Sequence, residues 1–224
     1  TYYFAVRTGL GDGTLGVISN SPPATPPAYR AIDLDISIYR SVGAEERAIY
    51  EEILGYFADA IYEMSNGAHR VGTITVHQNG ELAATADVQW NASEWPRANP
   101  AGYGTEGHRV WMGDVFPFAN PFNALAAGNR RGTGYGLAHE WGHYYYGLYD
   151  EYAANCADLC ADMTQPKGDD TPIPNSVMNT QWNAQNGDYN WLNFSVARNY
   201  KENTRTAQRR VYGVSGWVTL ARPQ

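Results

Sequence analysis

Between residues 139 and 152 the chain reads HEWGHYYYGLYDEY, and the residues in it that can do chemistry are His139, Glu140, His143, Asp150 and Glu151. On a helix, residues four apart lie on one face about one turn from each other, so His139 and His143 present two imidazoles to the same side. Two nitrogens at that separation can bind one Zn²⁺, with Glu140 beside the position where a water would sit. The chemistry implied is hydrolysis: the metal lowers the pKa of its water to about 7 and polarises a carbonyl, and the glutamate takes a proton and passes it to a leaving amine. A catalytic zinc also needs a third protein ligand. Gly147 is the residue type that can leave a helix in a left-handed turn at little cost, and Asp150 follows it with a carboxylate for the same metal.

Quoted in full, HEWGHYYYGLYDEY resembles the HEWxHxxxGxxDEY sequence of the metalloprotease domain at the front of the calcium-activated chloride channel regulator family, which belongs with the metzincin-like zinc peptidases. His139, Glu140, Trp141, His143, Gly147, Asp150, Glu151 and Tyr152 match it. Other metzincins place the third ligand one residue sooner, where this chain has Tyr149. The resemblance implies zinc ligands at His139, His143 and Asp150, a catalytic base at Glu140, and Glu151 as the alternative third ligand or an acceptor that orients a histidine. Such enzymes return beneath the metal with a methionine turn, and NSVMNTQ, with Ser176, Val177 and Met178, looks like that turn. The oxyanion donor is unassigned, with Tyr144, Tyr145, Tyr146 and Tyr152 as candidates.

Cys156 and Cys160 stand in NCADLCAD. They form a small disulfide loop in an oxidising compartment or two free thiols in a reducing one. The resembled family carries cysteines in this region, which tilts the pair toward a disulfide and the chain toward a secreted or cell-surface address. Asp158, Asp162, Asp169 and Asp170 lie in the same loop; they could hold Ca²⁺ or simply face solvent, and no EF-hand spacing is present.

Several elements must position these residues. IDLDISIYRS at 32–41 alternates Ile32, Leu34, Ile36 and Ile38 on one face, a strand pattern. From Ala44 to Asn66 the period changes, with Ile49, Ile53, Phe57, Ile61 and Met64 at threes and fours, giving an amphipathic helix stopped by Asn66-Gly67. RVGTITVHQ at 70–78 is the next strand, so strand, helix and strand form a crossover with the strands parallel. Weak strands are expected near 85–90, a better one in HRVWMGDVF at 108–116, and a second helix, carrying the motif, after RGTGYG. His108 would open a strand along which an extended peptide could pair; His69 and His77 read as structural or exposed. NFSVARNYKENTRT at 193–206 reads as a final helix. The expected fold is an α/β (α+β) metzincin-like zincin: a twisted mixed sheet with a backing helix, the HExxH helix and a Met-turn, with β-rich extensions at both ends.

The domain organisation expected is a hairpin and Pro-rich linker over 1–29, a peptidase domain over 30–204, and a β extension or the start of another module over 205–224. The hairpin, TYYFAVRTGLGDGTLGVISN before SPPATPPAY, loosely resembles the last two strands of a fibronectin type III domain. Two strands alone are marginal in water, so they are expected to pair with a neighbour. Thr1 stands first, with no charged segment and apolar stretch after it, so any signal peptide is expected to have been removed or to lie upstream.

Composition excludes some classes. With 16 Lys and Arg against 23 Asp and Glu, the net charge is −7, and no basic footprint exists for nucleic acid. No apolar run reaches the roughly 18–20 residues that a membrane span needs. The partner expected is a peptide or protein substrate, alongside flanking modules or strand-pairing neighbours. The sequence thus reads as a zinc-dependent endopeptidase that could process its own precursor. The alternative is a structural or adhesive subunit whose zinc site is vestigial or stabilising.

Overall fold

A computed structural model describes residues 29–152, 176–181, 192–198 and 206–221. The N-terminal hairpin, Cys156, Cys160 and the four aspartates of the 154–172 loop lie outside the described residues.

The sheet is mixed. Strand β1 (Arg30–Ile38) leads into helix α1 (Ala44–Met64) and then β2 (His69–His77), and β1 and β2 pair in parallel, as the crossover pattern predicts. Strands β3 (Val88–Ser93) and β5 (Val110–Phe116) continue the parallel set, while β4 (Arg97–Ala98) and β6 (Phe122–Asn123) pair antiparallel to β5. The strand order is β2-β1-β3-β5-β4. No helix among the described residues is long and apolar enough to cross a membrane.

Alternation along β1 buries Ile32, Leu34, Ile36 and Ile38, and the helical period of α1 buries Ile53, Phe57, Ile61 and Met64 against them. Acids suit the start of α1, where unpaired N–H groups carry partial positive charge. Glu46 accepts from the Gly43 N–H there and pairs with Arg40 at 2.7 Å. One buried carboxylate ties α1 to the sheet. Asp114 of β5 accepts from the Tyr50 hydroxyl at 2.6 Å, the Trp90 indole at 2.9 Å and the Tyr39 hydroxyl at 3.0 Å, with Arg40 at 3.4 Å.

Helix α2 (Arg130–Tyr144) carries the motif. It begins earlier than the sequence suggests, so that the RGTGYG glycines are helical rather than a loop. The physical reason is close packing: a Cβ on Gly134 would lie 2.6 Å from the Ile53 carbonyl oxygen and 2.6 Å from the Tyr56 Cβ on α1. Edge-on ring contacts, Tyr56 with Tyr135 and Phe57 with Trp141, continue the seam.

Two expectations are corrected at the C-terminal end. The extension over 205–224 forms helices, α4 (Ala207–Val211) and α5 (Gly216–Leu220), rather than a strand pair. Thr206 and Ser215 cap them by accepting from the Arg209 and Val218 N–H groups, which satisfies donors that a strand would need to pair with a neighbour. The helix expected over 193–206 does not form across 193–198. Its backbone is committed elsewhere: the Asn193 carbonyl accepts from Val177 N–H at 2.9 Å, and the Ser195 carbonyl from Trp217 N–H at 3.0 Å.

Candidate metal centre

The last two turns of α2 supply His139, Glu140 and His143, and all three are buried. The helix then ends at a glycine. Gly147 has φ +65°, its N–H donates to the His143 carbonyl at 3.0 Å, and the Leu148 N–H reaches the Gly142 carbonyl at 3.1 Å. A residue with a Cβ is strained in that left-handed turn, and glycine is not. The chain swings back across the helix end and delivers Asp150.

Both imidazoles are held by backbone. His139 Nδ1 lies 2.7 Å from the Val177 carbonyl oxygen, and His143 Nδ1 lies 2.7 Å from the Leu148 carbonyl oxygen. A carbonyl only accepts, so each Nδ1 carries the proton and each Nε2 turns its lone pair inward. The two Nε2 atoms are 3.2 Å apart, and Asp150 Oδ1 lies 3.1 Å from one and 3.2 Å from the other. Three electron pairs meeting at such distances repel unless a cation stands among them. A tetrahedral ion with ligands at roughly 2.0–2.1 Å spaces them about 3.3 Å apart. His139, His143 and Asp150 could therefore hold a metal ion. Side-chain exposure rises from 4 % at His139 and 10 % at His143 to 28 % at Asp150, so the group is open on the Asp150 side.

Charge states follow from these contacts. Burial opposes ionisation of Asp150, but the His139 and His143 rings against its carboxylate outweigh burial and hold the carboxyl well below its usual range. Burial also works against a charged His143, yet the hydrogen bond to Asp150 prevails and pushes it up to about 9. Without a metal, a proton occupies the role of the cation. Glu140, unlike Asp150, is shifted upward: burial raises its pKa, against the opposing pull of His139 and His143. The short strand β4 packs beside this helix, and its Arg97 adds a smaller pull in the same direction.

Glu151 is turned away from the group. Its carboxylate accepts from the Ser176 and Ser195 hydroxyls, and its N–H donates to the Met178 carbonyl at 2.8 Å. Burial pushes its carboxyl up to about 7 despite those two donors. Met178 sits in the short helix α3 (Val177–Thr180), 1 % exposed and packed under Gly142 of α2. The turn thus contributes a carbonyl to orient His139 and a thioether to floor the helix.

Of the four candidate tyrosines, three are engaged elsewhere. Tyr144 donates to Asp87 at 2.9 Å, Tyr146 bonds the His69 ring at 2.7 Å, and Tyr145 stacks on Trp141. Tyr152 alone of the four reaches the group: its ring lies parallel to His139 at 6.2 Å, and burial followed by the charge and hydrogen bond of Asp150 raises its hydroxyl pKa. The three remaining histidines stay apart. His69 pairs with Tyr146, His77 lies 3.0 Å from Asp35, and His108 is exposed ahead of β5.

Sequence reasoning missed the residues that brace the return loop. Gln208 accepts from the Tyr149 N–H and donates its own N–H to the Asp150 carbonyl, both at 3.0 Å, and the Tyr212 hydroxyl donates to the Gly147 carbonyl at 2.9 Å. The only local signal there is the pair of helix caps, Thr206 and Ser215. Compared with protein-family models, curated proteins and solved structures, the chain matches none of them.

Proposed function

We propose that this chain is a zinc-dependent endopeptidase with a metzincin-like zincin fold, related to the metalloprotease domain of the calcium-activated chloride channel regulator family. One observation carries the reading: two histidine Nε2 atoms and one carboxylate oxygen converge at 3.1–3.2 Å beside a buried glutamate on the same helix. Imidazole with carboxylate suits zinc, whereas calcium takes oxygen ligands alone. Structural zinc sites close with four protein ligands and catalytic ones keep a position open; the group has three among the described residues and is open on one side.

A zinc ion held there supplies Lewis acidity toward a peptide carbonyl and a water that ionises near neutral pH. The protein's own work is proton transfer and orientation. Glu140, one residue from a ligand and with its pKa raised by burial, accepts a proton from the attacking water and returns it to the leaving amine. His139 and His143 move no proton, because each Nδ1–H is committed to a carbonyl. A secreted or cell-surface setting and self-processing of a longer precursor belong to the same proposal.

The test is Glu140→Gln, assayed for zinc content and for cleavage of an unstructured protein with and without chelator. The expected result is a variant that keeps stoichiometric zinc and loses hydrolysis by about 10²–10⁴-fold, the range of a general base. Wild-type protein that binds zinc and cleaves nothing would make the site a stabilising one and overturn the reading.

A further inference from the structure

We propose that Gln208 is a positioning residue for the metal centre: it aims Asp150 at the two histidines. The inference rests on the reading of His139, His143 and Asp150 as metal ligands, and the observations behind it are separate. The histidines need little help, since they stand on a helix and two carbonyls fix their rings. Asp150 has no such support from its own element, because it follows the left-handed turn at Gly147 in an irregular segment. Its direction must come from elsewhere in the chain.

Gln208 supplies it. The residue is 1 % exposed in α4. Its side-chain Oε1 accepts from the Tyr149 N–H at 3.0 Å, and its backbone N–H donates to the Asp150 carbonyl at 3.0 Å. Consecutive residues are thus held at both ends by one partner, which sets the Asp150 backbone and with it the Cα–Cβ direction of the ligand. The amide is held in turn: Nε2 donates to the Val214 carbonyl at 3.1 Å and to Thr219 Oγ1 at 2.9 Å, and the Thr219 hydroxyl donates to the Ser215 carbonyl at 3.0 Å. Its orientation is not free, because the Tyr149 N–H can only donate and the Val214 oxygen can only accept. Helices α4 and α5, expected from the sequence to be a separate extension, are therefore part of the metal centre.

The test compares zinc affinity, by competition with a chromogenic chelator, and the visible spectrum of the Co²⁺-loaded protein. The chains are wild type, Gln208→Met, Thr219→Val, Asp150→Ala and the Asp150→Ala/Gln208→Met double variant. Outer partners of metal ligands are worth about 10–100-fold in affinity, and that is the loss expected for Gln208→Met, with an altered Co²⁺ spectrum and a smaller loss for Thr219→Val. Thr219→Val carries the test if Gln208→Met does not fold. In the Asp150→Ala background, Gln208→Met should cost no further affinity, because the ligand it positions is gone. Unchanged affinity in Gln208→Met, or an equal loss with and without Asp150, overturns the proposal. Failure of the wild-type chain to bind zinc overturns the reading of the site itself, and the proposal with it.

Discussion

Gly142 of the motif helix lies directly on Met178, so that a Cβ there would sit 2.4 Å from the methionine sulfur. Elsewhere in a helix interior, glycine to alanine stabilises by roughly 0.5–1 kcal/mol. Here the sign is expected to reverse, because the methionine sulfur must move and Met178 is only 1 % exposed. Gly142→Ala is expected to destabilise by about 1–3 kcal/mol, the usual cost of overpacking, and to weaken zinc binding by shifting the Val177 carbonyl that holds His139. Shortening the partner, in Gly142→Ala/Met178→Ala, should recover part of the affinity. A rise in melting temperature for Gly142→Ala alone would refute the packing argument.

Asp150 and Glu151 are adjacent carboxylates with different partners, and substitution separates them. Asp150→Ala removes the proposed third ligand and should lower zinc affinity by more than the roughly 100-fold limit for outer partners. Glu151→Gln leaves the ligand set intact but cannot match the two serine donors as well. It should cost about 1–3 kcal/mol of stability while keeping one zinc per chain. Zinc titration and chemical denaturation of both variants decide it; the reverse pattern would make Glu151 the ligand.

The metal-free protein should respond to pH through His143. Its imidazolium is raised to about 9 against a value of 6.5 for the free side chain: burial opposes the charge, and the hydrogen bond to Asp150 outweighs that. A group raised on folding stabilises fully below its unfolded value and loses that contribution as pH climbs to the folded one. Metal-free protein is therefore expected to lose stability between about pH 6.5 and 9, while zinc affinity rises over the same interval because fewer protons must leave. Melting temperatures in chelator and in zinc across pH 6 to 9 check this, and parallel curves would count against it.

What could be read in the sequence follows from the range of the interactions. The crossover of β1, α1 and β2 was legible because Ile32 to Ile38 and Ile49 to Met64 repeat at their own periods over whole elements. His139, Glu140, His143 and Asp150 were legible because one helix turn and one glycine exit place them within a dozen residues. The two-residue strands β4 and β6 are too short to show a period. The tyrosines could not be assigned, since Tyr146 meets His69 and Tyr144 meets Asp87 from distant parts of the chain. Helices α4 and α5 were misread because VYGVSGWVTL alternates over spans too short to separate a strand from a helical turn, and the caps at Thr206 and Ser215 carried the better signal.

Asp114 offers a test of the fold that leaves the metal alone. Its carboxylate is 8 % exposed and collects donors from Tyr50, Trp90 and Tyr39, with Arg40 beside it. Tyr50 and Trp90 are themselves buried, so Asp114→Ala strands their polar hydrogens and leaves Arg40 without one of its partners. Leaving a buried donor unsatisfied costs about 1–3 kcal/mol, and a loss of at least that order in the free energy of unfolding is expected. Asp114→Asn keeps one acceptor oxygen and should lose less. Because the network joins α1 to β3 and β5 rather than to the end of α2 that carries His139 and His143, zinc affinity of the folded Asp114→Asn protein should stay within about twofold of wild type, as for distant independent sites. A collapse of zinc binding in that variant, with the fold intact by circular dichroism, would show that this network and the candidate metal site are coupled.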